Sequence, residues 1–101
     1  MDDSDIDLHG LRVPEAIARL SRECNRRLRA GGGPIHVIHG YGSSGRGGDL
    51  RDAVREYLDQ NSSRVEYVTG ERFFNNPGIT IVYPKHPLPA PENLRFPTRS
   101  R

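Results

Sequence analysis

Two histidines stand where a proton could be moved. His9 and His39 each end a short apolar stretch and each precede a glycine, in Asp7-Leu8-His9-Gly10 and in Val37-Ile38-His39-Gly40. Imidazole is the side chain that changes charge near neutral pH, which suits a general acid or base. Asp7 lies two residues before His9, so in an extended strand the two side chains share a face. A carboxylate beside an imidazole is a working acid–base pair. The same carboxylate has alternatives: binding a metal, polarising an attacking hydroxyl, or capping the turn at Gly10. For His39 the alternatives are a second proton carrier, a phosphate contact, or a histidine that closes the rim by hydrogen bonding. His36 alternates to the other side of its strand and His86 lies in the C-terminal stretch, so neither is assigned chemistry.

After His39 comes Gly40-Tyr41-Gly42-Ser43-Ser44-Gly45, the G-x-G-x-x-G spacing of a dinucleotide-binding loop. Its surroundings argue against a nucleotide cofactor. That fingerprint starts its helix at the third glycine, so that the N-terminus meets the pyrophosphate. Here Arg46-Gly47-Gly48 follow, and the helical stripe is expected to begin near Leu50. The acid that should end the next strand is absent, because Glu66 falls near that strand's start, and no Gly-Lys-Ser/Thr follows as a Walker loop requires. What survives is a loop rich in backbone N–H groups, leading to a helix N-terminus: a cradle for an anion. Gly40, Gly42 and Gly48 would supply backbone, and Arg46 and Arg51 charge. Tyr41 either stacks on a base or packs within the loop. A flexible connection that binds nothing is the alternative for the whole loop.

Composition narrows the classes. At 101 residues the chain is one domain, too short for a two-halved dinucleotide fold. No run approaches the roughly 18 apolar residues of a membrane span, and the acidic start has no apolar stretch to act as a secretory signal. A single cysteine, Cys24, excludes an internal disulfide, makes a zinc site unexpected and fits a reducing cytoplasm. The net charge is +2, unevenly spread. Asp2, Asp3, Asp5 and Asp7 open the chain; Arg12, Arg19, Arg22, Arg26, Arg27 and Arg29 then face only Glu15 and Glu23. Arginine supplies all but one of the 15 basic residues. A GC-rich coding bias explains this blandly; guanidinium forks that grip phosphate explain it functionally.

These residues must be positioned by a small set of elements. Asp5 to His9 alternates polar and apolar as a half-buried strand does, and Gly10 ends it. Pro14 suits a first helical turn, and Val13, Ala16, Ile17, Leu20, Cys24 and Leu28 fall on one helical stripe. Gly31-Gly32-Gly33-Pro34 stops that helix before a second strand, Ile35 to His39. After the glycine loop, Asp49 is a good N-cap for a helix with Leu50, Ala53, Val54, Tyr57 and Leu58 on its buried stripe. Val65–Thr69 is a third strand, Gly70–Gly78 a turn-rich loop holding Phe73 and Phe74, and Ile79–Tyr83 a fourth strand. The order is β-α-β-α-β-β. Right-handed strand–helix–strand units make the first two strands parallel neighbours, and their carboxyl ends are where α/β proteins hold ligands. His9 and His39 are therefore expected at one rim. Residues 1–4 are expected to be flexible, 5–83 to form the domain, and the proline-rich basic stretch 84–101 to be extended or disordered. Met1 and that tail suit a stand-alone domain, although a fragment could look the same.

Three stretches resemble one family. "DLHGLRVPEAIARL" (Asp7 to Leu20) is similar to the opening of the Smr, or small MutS-related, domain; "VIHGYGSSGRGGDLRDAVREYL" (Val37 to Leu58) to its His-Gly-x-Gly block; "NPGITIVYP" (Asn76 to Pro84) to its closing strand. The resemblance implies a two-layer α/β sandwich like the C-terminal domain of translation initiation factor 3. Its four-stranded mixed sheet would have order 1-2-4-3 with the last strand antiparallel. It also implies nucleic-acid binding and, in many members, phosphodiester cleavage of DNA or RNA, some of it at stalled ribosomes. Two departures stand out. Many members carry Lys after His-Gly where this chain has Tyr41, and the loop before the second helix is longer than the common version; Arg46 would supply the positive charge from another place.

The resulting expectation is an Smr-type endonuclease, with RNA favoured over DNA and the ribosome as a further partner. Asp7, His9 and His39 are its candidate catalytic residues; Gly40, Tyr41, Gly42, Arg46, Gly48 and Arg51 are its phosphate contacts. No protein metal site, nucleotide cofactor or membrane partner is expected, and a route aided by Mg2+ or Mn2+ is the rival mechanism. A non-catalytic module that binds nucleic acid or ribosomes is the competing class, supported by Tyr41.

Overall fold

A computed structural model describes residues 5–40 and 46–89. The elements in chain order are β1 (Asp5–Asp7), α1 (Val13–Arg29), β2 (Ile35–Ile38), α2 (Arg46–Gln60), β3 (Val65–Thr69), α3 (Gly70–Phe74) and β4 (Ile79–Pro84). The sheet order is β1-β2-β4-β3. β1 and β2 are parallel, and β4 runs antiparallel to both its neighbours, β2 and β3. The expected α/β sandwich with a mixed 1-2-4-3 sheet is the fold.

Strand alternation sorts the side chains. Ile6, Leu8, Ile35, Val37, Val65 and Val82 turn to one face and are buried beneath the helices. From α1 come Ala16, Ile17, Leu20 and Cys24, and from α2 Leu50, Val54 and Leu58. The two helices also pack on each other, so both lie on one side of the sheet. Removing these side chains from water is the main force holding the layers together. Burial pushes the Cys24 thiol up to about 12, which keeps it inert at neutral pH. Across the other face the register sets Asp5 beside His36, His36 beside Ile81, and Ile81 beside Val68.

Local signals explain where α1 begins and ends. Pro14 sits in the first turn of α1, where no intrahelical partner is needed for its missing N–H. The helix ends where the Gly32 N–H folds back on the Arg27 carbonyl at 2.8 Å, with φ of +86° at Gly32.

β1 stops at Asp7 and β2 at Ile38, so His9 and His39 follow their strands rather than ending them. Four further features differ from the sequence reading. α2 begins at Arg46, immediately after the third glycine of the loop, rather than at Asp49; Asp49 instead lies in its first turn, where a carboxylate complements the helix dipole. That removes one ground for rejecting a dinucleotide site. The absent acid at the end of β3 and the chain length still argue against one. The stretch after β3 contains a helical turn, α3. A Cβ at Gly70 would collide with the Asn76 carbonyl and lie 2.6 Å from that of Ile79, so this turn packs on the chain leading into β4 only because the residue is glycine. Pro84 belongs to β4. Residues 85–89 beyond it stay against the domain. Leu88 is buried in the core, its N–H donates to Asn25 Oδ1 at 2.8 Å and its carbonyl accepts from Asn25 Nδ2 at 3.0 Å. The Ser21 hydroxyl donates to the Pro89 carbonyl at 2.6 Å. Residues 85–89 thus strap α1, because Leu88 gains burial and the exposed backbone finds side-chain partners.

Candidate active site at the carboxyl ends of β1 and β2

The turn after β1 brings Asp7 and His9 together. The Leu11 N–H donates to the Leu8 carbonyl at 3.1 Å, and Gly10 has φ of +83°, the value that the third position of a type II turn needs. His9 is carried at the turn's second position. Asp7 Oδ1 accepts the His9 backbone N–H at 3.1 Å and meets His9 Nδ1 at 2.5 Å. The two readings of Asp7, turn cap and histidine partner, are therefore one arrangement. An ionised carboxylate only accepts, so Nδ1 carries the proton and Nε2 is left as the free acceptor of neutral His9. The pair is open to solvent, with side chains 69% and 55% exposed. The hydrogen bond from His9 is the main cause that holds the Asp7 carboxyl below its ordinary value, against an opposing effect of burial. Arg19 Nη1 reaches the Asp7 carbonyl at 3.4 Å.

His39 is placed differently. It follows β2 at the same end of the sheet, but its side chain turns to the helix-covered face and is fully buried. Nδ1 lies 2.8 Å from the Gly40 carbonyl and Nε2 lies 2.8 Å from Thr80 Oγ1. Burial, the largest cause, lowers its pKa; the carbonyl bond opposes this and the charges of Arg55 and Arg51 add to it. The neutral ring must donate from Nδ1, since a carbonyl cannot, so Nε2 accepts from the Thr80 hydroxyl. That hydroxyl in turn accepts from Arg55 Nε at 2.9 Å, and Arg55 Nη2 donates to Glu71 Oε1 at 2.9 Å. The chain of bonds Glu71–Arg55–Thr80–His39–Gly40 runs from α3 through α2 and β4 to the root of the glycine loop. His9 and His39 share a rim, yet only His9 opens onto the surface. Of the three roles considered for His39, internal hydrogen bonding is the one its geometry serves.

Gly40 has φ of +77°, and the N–H groups of His39 and Gly40 both donate to the Gly78 carbonyl at 3.0 Å. Gly78 is held by its own N–H donating to Asn76 Oδ1 at 2.9 Å. Tyr41 and Gly42 lie outside the described residues. Arg46 and Gly48 fall in the first turn of α2, and Arg51 lies one turn further, 3.5 Å from Asp52. Among the described residues no group of three His, Cys, Asp or Glu could hold a metal ion. Arg55, Glu71 and Thr80 were not singled out in the sequence. The i, i+4 spacing of Arg51 and Arg55 on one helix was the available signal; nothing marked Thr80.

The depressed pKa of His39 makes a signed prediction. The unfolded chain takes up His39's proton near 6.5, while the folded state resists it, so folding stability rises with pH across that window. His39 contributes fully above about 6.5 and its contribution is lost as pH falls toward the folded value. Urea denaturation over this range should show a slope that His39→Gln flattens; equal slopes in both proteins would contradict the buried neutral ring.

The fold and site define a class: a two-layer α/β domain with an Asp–His pair after its first strand and a glycine-rich loop after its second. The family model for the Smr domain matches residues 6–85, and the chain belongs to the Smr domain family. Endonuclease MutS2 of Lactobacillus johnsonii is 35% identical over 80 residues, covering 79% of this chain and 10% of that protein. The chain thus spans about a tenth of the length of the curated relatives it matches. The crystal structure of the Smr domain of Thermus thermophilus MutS2 superposes with a TM-score of 0.69 at 26% identity, covering 81% of this chain and 98% of that one. The solution structure of the SMR domain of NEDD4-binding protein 2 gives 0.63 at 29% identity, with 89% and 93% covered.

Proposed function

We propose that the chain is a nucleic-acid endonuclease of the Smr type, acting on RNA in preference to DNA, in the cytoplasm and on messenger RNA at the ribosome. The observation that carries this reading is the Asp7–His9 pair: a carboxylate that takes Nδ1 and leaves Nε2 exposed for a proton. The relatives named endonuclease support the class. For RNA, His9 Nε2 takes the proton of a 2′-hydroxyl, O2′ bonds to the adjacent phosphorus, and the P–O5′ bond breaks. The imidazolium returns its proton to the departing 5′ oxygen, while Asp7 steadies the charged ring. Arg51 and the backbone N–H groups at the start of α2 hold the phosphate and stabilise the charge that grows on it. His39 is a positioning residue through Gly40. Asp7, with Oδ1 taken by His9, does not by itself make a divalent-ion site, so no step is routed through a metal. No described helix is long and apolar enough to cross a membrane.

A second reading, a non-catalytic nucleic-acid- or ribosome-binding module, draws on Tyr41 standing where many members carry Lys. End-labelled RNA and DNA, incubated with Mg2+, with Mn2+ and with a chelator, separate the two. The expected result is RNA cut in all three conditions, leaving a 2′,3′-cyclic phosphate. Binding of RNA with neither substrate cut would move the chain to the second class. Cleavage only with a metal would retain the nuclease and replace the mechanism.

A further inference from the structure

The helix α1 turns its apolar residues into the core. Its outermost ridge carries Arg12, Arg19, Arg22, Arg26 and Arg29, all exposed. The steps of seven, three, four and three residues keep them on one line, since three- and four-residue spacings stack on a helix surface. A solvated helix face commonly alternates charge sign. This one has two acids, and both are engaged locally: Glu15 accepts the Arg12 backbone N–H at 3.3 Å, and Glu23 accepts from Arg26 at 2.6 Å. Arg22 and Arg29 have no ion-pair partner among the described residues.

The ridge is tied to the site at one point and extended at the other. Arg19 Nη1 touches the Asp7 carbonyl at 3.4 Å, which sets the ridge beside the Asp7–His9 pair across the edge strand β1. At the far end Arg29 and Lys85 line one pocket with Leu28 and Pro87, so the strap adds another cation. Seventeen residues at about 1.5 Å each make the line about 25 Å long, the span of several nucleotides.

We infer that this ridge binds the phosphates of a single nucleic-acid strand that flanks the bond held at Asp7 and His9. The inference rests on the proposed function and deepens it: the domain holds a strand, not only the phosphate to be cut. A line of guanidinium groups matches a line of phosphates in charge and in hydrogen-bond geometry. It does not match a lipid surface, because the apolar residues of α1 that would enter a membrane are already in the core.

The test uses the 101-residue chain and fluorescent single-stranded RNA and DNA in two lengths. The short strand covers only the region around His9; the long one also reaches Arg29. The wild type should prefer the long strand, with a steeper fall of log affinity against log salt. Arg22→Gln with Arg29→Gln should lower the long-strand salt slope by about 1.4, at about 0.7 per contact, and abolish the length preference. These are exposed helix positions, and circular dichroism confirms that the variant is folded. A wild-type slope in the folded double variant overturns the inference while leaving the nuclease reading intact, and would assign the ridge to an acidic protein or to solvent. Failure of the wild type to bind either strand overturns both.

Discussion

Replacing His9 by Ala is expected to reduce cleavage by about 10²–10⁴, the usual worth of a positioned general acid or base. Affinity for the same strand should stay close to wild type, because phosphate contacts carry most of it and His9 is not among them. The side chain is 69% exposed, so its removal leaves no cavity and the fold should be untouched. Asp7→Asn should follow in the same direction. An amide can present its NH2 to Nδ1 and stabilise the wrong tautomer, in which Nε2 carries the proton and can no longer accept one. Rates should be measured under single-turnover conditions on the strand the wild type cuts. Wild-type rates in His9→Ala would remove the assignment of the site and leave the family and the fold standing.

Thr80→Val should be the most damaging of the small changes to the interior. The side chains are nearly equal in volume, so packing is preserved while the hydroxyl is lost. That hydroxyl lies between His39 Nε2 at 2.8 Å and Arg55 Nε at 2.9 Å. Each buried polar group left unpaired costs about 1–3 kcal/mol, and here two partners are affected at once. Thr80→Ser keeps the bridge and should retain most of the stability, which separates hydrogen bonding from packing. Chemical denaturation of the three proteins reads the difference. If Thr80→Val unfolds at the wild-type midpoint, Thr80 is not the link between Arg55 and His39. The same variant should loosen the hold on the Gly40 carbonyl, visible as faster amide exchange at the start of the loop.

Asp7 and His9 were legible as a pair because their contact is local. Two residues apart at a strand end, followed by a glycine that accepts positive φ, they needed nothing distant to meet. The same holds for the alternation of Ile6 and Leu8, the stripe from Ala16 to Cys24, and the arginine ridge opposite it. Each follows from the period of a strand or a helix. The start of α2 was misplaced because glycines at 47 and 48 carry a poor helix propensity that the surrounding fold overrides. The strap of residues 85–89 was hidden for another reason. Proline-rich composition describes an extended chain, and only tertiary contacts, the burial of Leu88 and the bonds to Asn25 and Ser21, dock it on α1.

By itself, then, the sequence determined the order of the strands and of the two long helices, the buried faces and the Asp7–His9 pair. Tertiary structure alone decided the surroundings of His39. Its partners are Thr80, 41 positions away, and through that hydroxyl Arg55, itself 25 positions from Thr80. They meet because β4 inserts between β2 and β3, setting Thr80 beside Val37 in register. The pattern around His39 reads the same whether its ring ends in water or in the core. Strand order determines what covers that end of the sheet, and so places His39 as a buried ring bonded to the Gly40 carbonyl.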